Sequence, residues 1–182
     1  MIDLTNLEYE EIERFVTETL NEPKFRAKQI FGWIYGGPTK DGNFRSGVQS
    51  FDEMNNLPKD LREKLTAQAF LTSLDVLRTQ VSKLDGTRKF LFRLADGNAI
   101  ESVFMRYKFG NSICVSSQAG CRMGCRFCAS TIGGLKRNLT PGEIAGQILA
   151  AQRETGQRIS HVVVMGTGEP FDNYENLAKF LH

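Results

Sequence analysis

Apolar residues recur at helical spacing through the first seventy residues and at alternating spacing after them. From Glu8 to Leu20, the side chains of Ile12, Phe15, Val16 and Leu20 fall on one helical face. Pro23 opens a second helical stretch, Lys24 to Tyr35, in which Phe25, Ile30, Phe31, Trp33 and Ile34 are apolar. Gly36-Gly37-Pro38 stops it. A polar, glycine-containing loop follows through Gly47, then short helices around Phe51–Met54 and Pro58–Phe70. The pattern predicts a helical accessory domain over residues 1–72, with Trp33 and the phenylalanines in its core.

From Leu74 the period shortens. Leu74–Ser82 and Lys89–Leu94 flank the hairpin signal Asp85-Gly86, and Asp96-Gly97-Asn98 turns into a third strand, Ala99–Tyr107. Residues 73–110 therefore read as a β-meander that links the helical domain to the C-terminal part of the chain. Over residues 111–182 strand and helix alternate. A short strand, Ser112–Ser116, runs into a cysteine-rich loop. Thr140-Pro141-Gly142-Glu143 carries an N-cap, a proline at the first helical position and a capping box, so a helix runs from there to about Glu154 and closes near Gly156. His161–Met165 is a continuous apolar strand, as in a parallel sheet covered on both faces. Asp172-Asn173-Tyr174-Glu175 starts another helix. The fold class is α/β: a helical domain, a meander, then two β/α units.

Composition is that of an ordinary globular protein, and a net charge of +2 announces no polyanionic partner by itself. The distribution of charge says more. Residues 1–95 hold fourteen basic and fourteen acidic side chains. Between Glu101 and Glu143 there is no acid, while Arg106, Lys108, Arg122, Arg126, Lys136 and Arg137 all fall there. That stretch is either a solvated basic face or a surface for nucleic-acid phosphates. The N-terminus lacks a charged-then-apolar export signal, apolar runs fall short of a bilayer span, and four cysteines within fifteen residues are no disulfide framework. These features predict a cytosolic protein with no membrane partner, and nothing in them predicts an oligomer.

Inside the one-signed stretch stand Cys121, Cys125 and Cys128, spaced C-x3-C-x2-C. Three thiolates this close can hold one small inorganic centre from a single loop. A [4Fe–4S] cube takes four cysteines in electron-transfer proteins. With three, one iron stays open to chemistry. A zinc site using Cys114 as well is the competing reading, although zinc sites more often use two C-x2-C pairs and this chain has one. Gly166-Thr167-Gly168-Glu169-Pro170 comes directly after the strand His161–Met165, at the sheet edge where α/β folds place their ligands.

The cysteine spacing, with the aromatic Phe127 before the last cysteine, resembles that of the radical S-adenosylmethionine (SAM) enzymes. Cys114-Val-Ser-Ser-Gln-Ala-Gly-Cys121, Arg137-Asn138-Leu139-Thr140, the Gly-Thr-Gly-Glu-Pro turn and Phe25-Arg-Ala-Lys-Gln-Ile-Phe-Gly-Trp-Ile-Tyr35 together look like the RlmN/Cfr family. Thr167 stands where that family commonly has Met. The resemblance implies a partial (β/α)6 barrel, a [4Fe–4S] cluster on Cys121, Cys125 and Cys128, and SAM on the open iron with Gly168 and Glu169 at its methionine end. It implies methylation of adenine C2 in 23S ribosomal RNA, and in transfer RNA, through a 5′-deoxyadenosyl radical and a methylated cysteine. Glu101 matches the family's proton acceptor and Cys114 the thiol that releases product as a disulfide. A flavodoxin-type donor supplies electrons in this chemistry, and the helical domain would contact RNA. C8 methylation, a radical SAM activity on another substrate class, and a zinc-stabilised RNA-binding module remain the alternatives.

Length sets one further expectation. A β/α unit needs roughly 30 residues, so six ask for about 180 after the first strand. About 70 remain here. The chain is therefore expected to be an incomplete form, inactive alone, lacking the methyl-carrying cysteine and leaving His161–Met165 with an unpaired edge.

Overall fold

In the computed structural model, which describes residues 1–39 and 41–182, the chain forms two units, Met1–Ser73 and Leu74–His182. The first begins with a two-residue strand β1 (Ile2–Asp3) and helix α1 (Tyr9–Arg14), opened by a capping box between Glu8 and Glu11. The helix continues as a π-helical turn, Phe15–Thr19, so the single periodic stretch holds two helical geometries. Helix α2 (Phe25–Tyr35) ends at Gly36, where a φ of 71° and the collision a Cβ would make with Arg45 O leave no room for a side chain. Strands β2 (Gly37–Pro38) and β3 (Phe44–Arg45) pair within the stretch read as loop, of which Lys40 lies outside the described residues. Helix α3 (Lys59–Gln68) and strand β4 (Ala69–Phe70) complete the unit, with β4 parallel to β1. Asp3 accepts from Thr5 Oγ1 at 2.6 Å and from Thr72 Oγ1, which ties the two ends together.

Ile12, Phe15, Val16, Ile30, Trp33, Ile34, Leu61 and Leu65 form the core of this unit. Trp33 is core as expected, with its indole N–H donated to Asn56 and the Arg45 guanidinium 3.8 Å from its ring. Phe25 is not. It sits at the helix start, 57% exposed, with the Arg26 guanidinium over its ring.

The second unit is built on one five-stranded sheet. Its strands are β5 (Asp75–Val81), β6 (Arg88–Arg93), β7 (Ala99–Tyr107) and β8 (Gly110–Cys114), all antiparallel in sequence. A short pair, β9 (Gln118–Ala119) with β10 (Arg137–Asn138), leads to helix α4 (Pro141–Thr155) and strand β11 (His161–Val163), which returns parallel to β8. The sheet order is β11-β8-β7-β6-β5. The meander and the first β/α unit thus share a continuous ladder through β7 and β8. Helix α5 (Tyr174–Leu181) comes after a 3₁₀ turn, Pro170–Asn173.

One sheet face packs Phe90, Phe92, Ile100, Phe104 and Ile113 into a core with Leu139, Ile144, Ala150 and Ala151. Thr140, Pro141 and Glu143 cap α4 as their order predicts, and Gly156 ends it at φ 65°. The strand at residue 161 departs from expectation. It is three residues long and exposed, with Val162 and Val163 open to solvent at 40% and 39%. It is paired on one side, to β8, so its apolar side chains have half the cover of an internal strand.

Candidate functional site

The cysteines stand on a lobe pinned at its neck. The β9–β10 pair closes its base, Lys136 N donates to Ala119 O at 2.8 Å, and a Cβ on Gly120 would collide with Gly134 O. Glycine at 120, with φ 76°, is what lets those backbones meet. Between the two glycines Cys121 is buried, Cys125 exposed and Cys128 half-buried, and all four cysteines of the chain are free thiols. The lobe holds no carboxylate, and Phe127 and Ile132 project from it almost fully exposed. Hydrogen bonding from Ser130 draws the Cys128 thiol below its usual pKa. The three thiols share this lobe without converging: among the described residues no three His, Cys, Asp or Glu side chains are placed to hold a metal ion.

The Gly-Thr-Gly-Glu-Pro turn lies against the strand that feeds this lobe. A Cβ on Gly166 would meet Val115 and Ser116 at 2.8 Å, and one on Gly168 would meet Gln118 and Ser117 at 2.7–2.8 Å. Main-chain and side-chain atoms of residues 115–118 thus already call for glycine at both positions, in addition to the ligand approach expected of the turn. Thr167 contributes its main chain: its N–H donates to Ser116 Oγ and its carbonyl accepts from Ser117 N and Gln118 N. Glu169 caps the adjoining 3₁₀ turn by accepting from Phe171 N.

Buried amides hold the turn and the lobe together, and sequence reading passed over them. Gln118, fully buried, accepts from Glu169 N at 2.9 Å and donates to Asn138 and Asp172. Asp172 pairs with Arg122, the residue after Cys121, and Arg122 followed by Gln118 hold its carboxyl below the usual range. Asn173 donates to Ser117 O and Leu139 O. Gln147, on α4, accepts from Ser116 N and Ser102 Oγ and donates to Ser116 O. The signal was present for Gln147: it interrupts the apolar stripe of Ile144 and Ala151, and a polar residue at a core position must find partners. Ser117 Oγ is buried beside Gly168 with no partner among the described residues.

Glu101 and Cys114 come from neighbouring strands. Cys114 opposes Val103 in the β7–β8 ladder, so Glu101, two residues along β7, projects from the same face on the diagonal, roughly 7–8 Å away by strand geometry. This is the sheet face opposite the aromatic core. Glu101 is exposed and ion-paired to Lys89 at 2.7 Å. Cys114 is half-buried, and burial pushes its thiol pKa up. Ser116 joins this face to the turn by donating to Glu101 O while accepting from Thr167 N.

The donor chemistry of Cys121, Cys125 and Cys128, three free thiols on one acid-free lobe, suits an iron–sulfur centre. The orphaned Ser117 hydroxyl beside the turn likewise suits a polar ligand such as SAM.

Residues 2–71 match the family described as ribosomal RNA large subunit methyltransferase N-terminal domain. Across 99% of its length the chain is 53% identical to a protein of Desulforamulus reducens named "probable dual-specificity RNA methyltransferase RlmN", and it is 51% identical to the protein so named in Clostridium novyi. Residues 2–71 thus carry the N-terminal domain of this family, and the chain as a whole is similar to part of proteins named RlmN. It spans about half the length of the curated relatives it matches, 49% and 50% of these two. A radical SAM methyltransferase from Sphaerobacter thermophilus superposes over the whole chain and 51% of its own, with a TM-score of 0.84 and 40% identity. The α/β architecture of the chain thus matches about half of a radical SAM methyltransferase. No helix among the described residues is long and apolar enough to cross a membrane.

Proposed function

We propose that the chain provides the cofactor-binding half of a radical SAM methyltransferase that modifies C2 of adenosine in 23S ribosomal RNA and in transfer RNA. The observation that carries this reading is the Gln118 junction, which places a three-cysteine lobe beside the Gly-Thr-Gly-Glu-Pro turn in a chain similar to part of proteins named RlmN. A [4Fe–4S] cluster with SAM, when bound and reduced by a flavodoxin-type donor, supplies one-electron cleavage of SAM and so reaches a carbon that ordinary methyl transfer does not. Cys121, Cys125 and Cys128 hold the cluster in this reading, and Gly168 and Glu169 meet the methionine end of SAM. The apolar, exposed Phe127 and Ile132 would keep water from the centre.

Glu101 takes the proton from adenine C2. Its exposure on the open sheet face leaves its carboxylate reachable by a base, and its main chain is fixed to the turn through Ser116. Cys114, on the same face, is the thiol that resolves the methylated cysteine. Kept neutral by burial, it would need to lose its proton as it attacks. The methyl carrier is a fifth cysteine, distinct from these four, and a cytosolic location suits a protein whose thiols must stay reduced.

Anaerobic reconstitution with iron and sulfide tests the reading. The expected product shows the electron paramagnetic resonance of a reduced [4Fe–4S] cluster, shifts on adding SAM, and loses that signal in Cys125→Ala. A colourless protein holding zinc through all four cysteines would overturn it.

A further inference from the structure

The open face beside Glu101 carries a second feature. Strand β5 runs in register with β6 until a bulge between Val76 and Arg78. Val76 faces the core, so without the extra residue Arg78 would fall opposite Phe90, on the buried side. With it, Arg78 opposes Leu91, which in turn opposes Glu101 on β7. The next row is Gln80, Lys89 and Val103. Bulges re-aim side chains in this way, often beside active sites.

The two rows enclose a cavity of about 210 Å³ lined by Arg78, Gln80, Lys89, Leu91 and Glu101. Lys89 is occupied by Glu101. The side chains of Arg78 and Gln80 have no hydrogen-bond or ion-pair partner among the described residues, whereas that of Arg93, nearby on β6, is satisfied by Asp75 at 2.7 Å. The cavity therefore holds two cations, one carboxylate and a free amide. Its surplus is one positive charge, which one phosphodiester would neutralise. A guanidinium and an amide are donors suited to its two oxygens.

We propose that this cavity binds a phosphodiester of a single-stranded RNA through Arg78, Gln80 and Lys89. This rests on the reading of the chain as RNA-acting. The phosphate competes with Glu101 for Lys89, so seating the RNA strand frees the Glu101 carboxylate where its proton is to be taken. In the absence of RNA the ion pair keeps the carboxylate engaged. Lys89 is thus a positioning residue, and substrate itself relieves the pairing.

The test is binding of the 182-residue chain to a short labelled single-stranded RNA, read by anisotropy across a salt series. Arg78→Gln and Lys89→Gln are each expected to weaken binding and to reduce the slope of log K against log salt by about 0.7, the share of one single-strand phosphate. Glu101→Gln is expected to tighten binding, since the competitor for Lys89 is gone. Arg158→Gln removes an exposed cation outside the cavity and should leave the slope unchanged. An unchanged slope in Arg78→Gln, or an equal loss in Arg158→Gln, overturns the site in favour of a diffuse basic surface. Thermal melts matching the parent chain show that each variant is folded. Cluster reconstitution of Arg78→Gln separates the two readings: a SAM-responsive cluster with an unchanged salt slope sinks this site alone. A chain that takes up no cluster yet shows the slope pattern sinks the methyltransferase reading alone.

Discussion

On one face of the five-stranded sheet Phe90, Phe92, Ile100, Phe104 and Ile113 are shut away with residues of α4; on the other Arg78, Lys89, Glu101 and Cys114 keep contact with solvent. The same strands supply both sets by simple alternation. The buried set has an energetic reason to be there that involves no ligand. The open set has none: an exposed ion pair such as Lys89–Glu101 contributes about 0–1 kcal/mol. Side chains on the open face are therefore free to be chosen for chemistry, and the bulge in β5 adds a cation to that face at the expense of a regular ladder.

The sharpest way to break the comparison is to exchange neighbours of opposite facing. Phe104→Ala removes a ring that is 1% exposed, and should destabilise by about 3–5 kcal/mol, read as a lowered denaturant midpoint. Its neighbour Val103, on the open side, should tolerate alanine far better. Similar losses at the two positions would mean that the open face carries more of the fold's stability than its exposure suggests.

Gln147→Ala comes next. The amide joins α4 to both main-chain groups of Ser116 and to the Ser102 hydroxyl, all buried. Its removal leaves these unpaired, at a cost of about 2–4 kcal/mol. Because Ser116 also links Glu101 O to Thr167 N, the loss should appear locally as faster hydrogen exchange at Thr167. Exchange that accelerates evenly through the unit, with no excess at that amide, would show that Gln147 only stabilises and does not organise the turn.

How much of this was legible beforehand depends on the range of the forces involved. The meander and α4 were readable because alternation, Asp85-Gly86 and the Thr140–Glu143 cap act within a few residues. The strand Ala99–Tyr107 falls where its alternation places it. The cysteine spacing was legible for the same reason. The short pairs β1–β4 and β9–β10 were not, because two-residue strands carry no period. Neither was the packing of Gly166 and Gly168 against Val115 and Gln118, because composition does not show which neighbours a glycine makes room for. The bulge escaped notice because Leu77 and Arg78 look like ordinary strand residues until the partner strand fixes their register.

The smallest expected effect on stability belongs to the residue with the most chemistry assigned to it. Glu101→Gln keeps the side chain's length and loses only an exposed ion pair, so its midpoint should stay within about 0.5 kcal/mol of the parent chain. The substitution leaves the Ser116 bond to the Glu101 carbonyl in place, since that bond uses the main chain. A large loss of stability would mean that the carboxylate is part of the architecture, and any loss of methylation in a longer RlmN-family enzyme could then be blamed on folding. A neutral result with methylation abolished would isolate the carboxylate as a chemical group, which is what its place on the open face predicts.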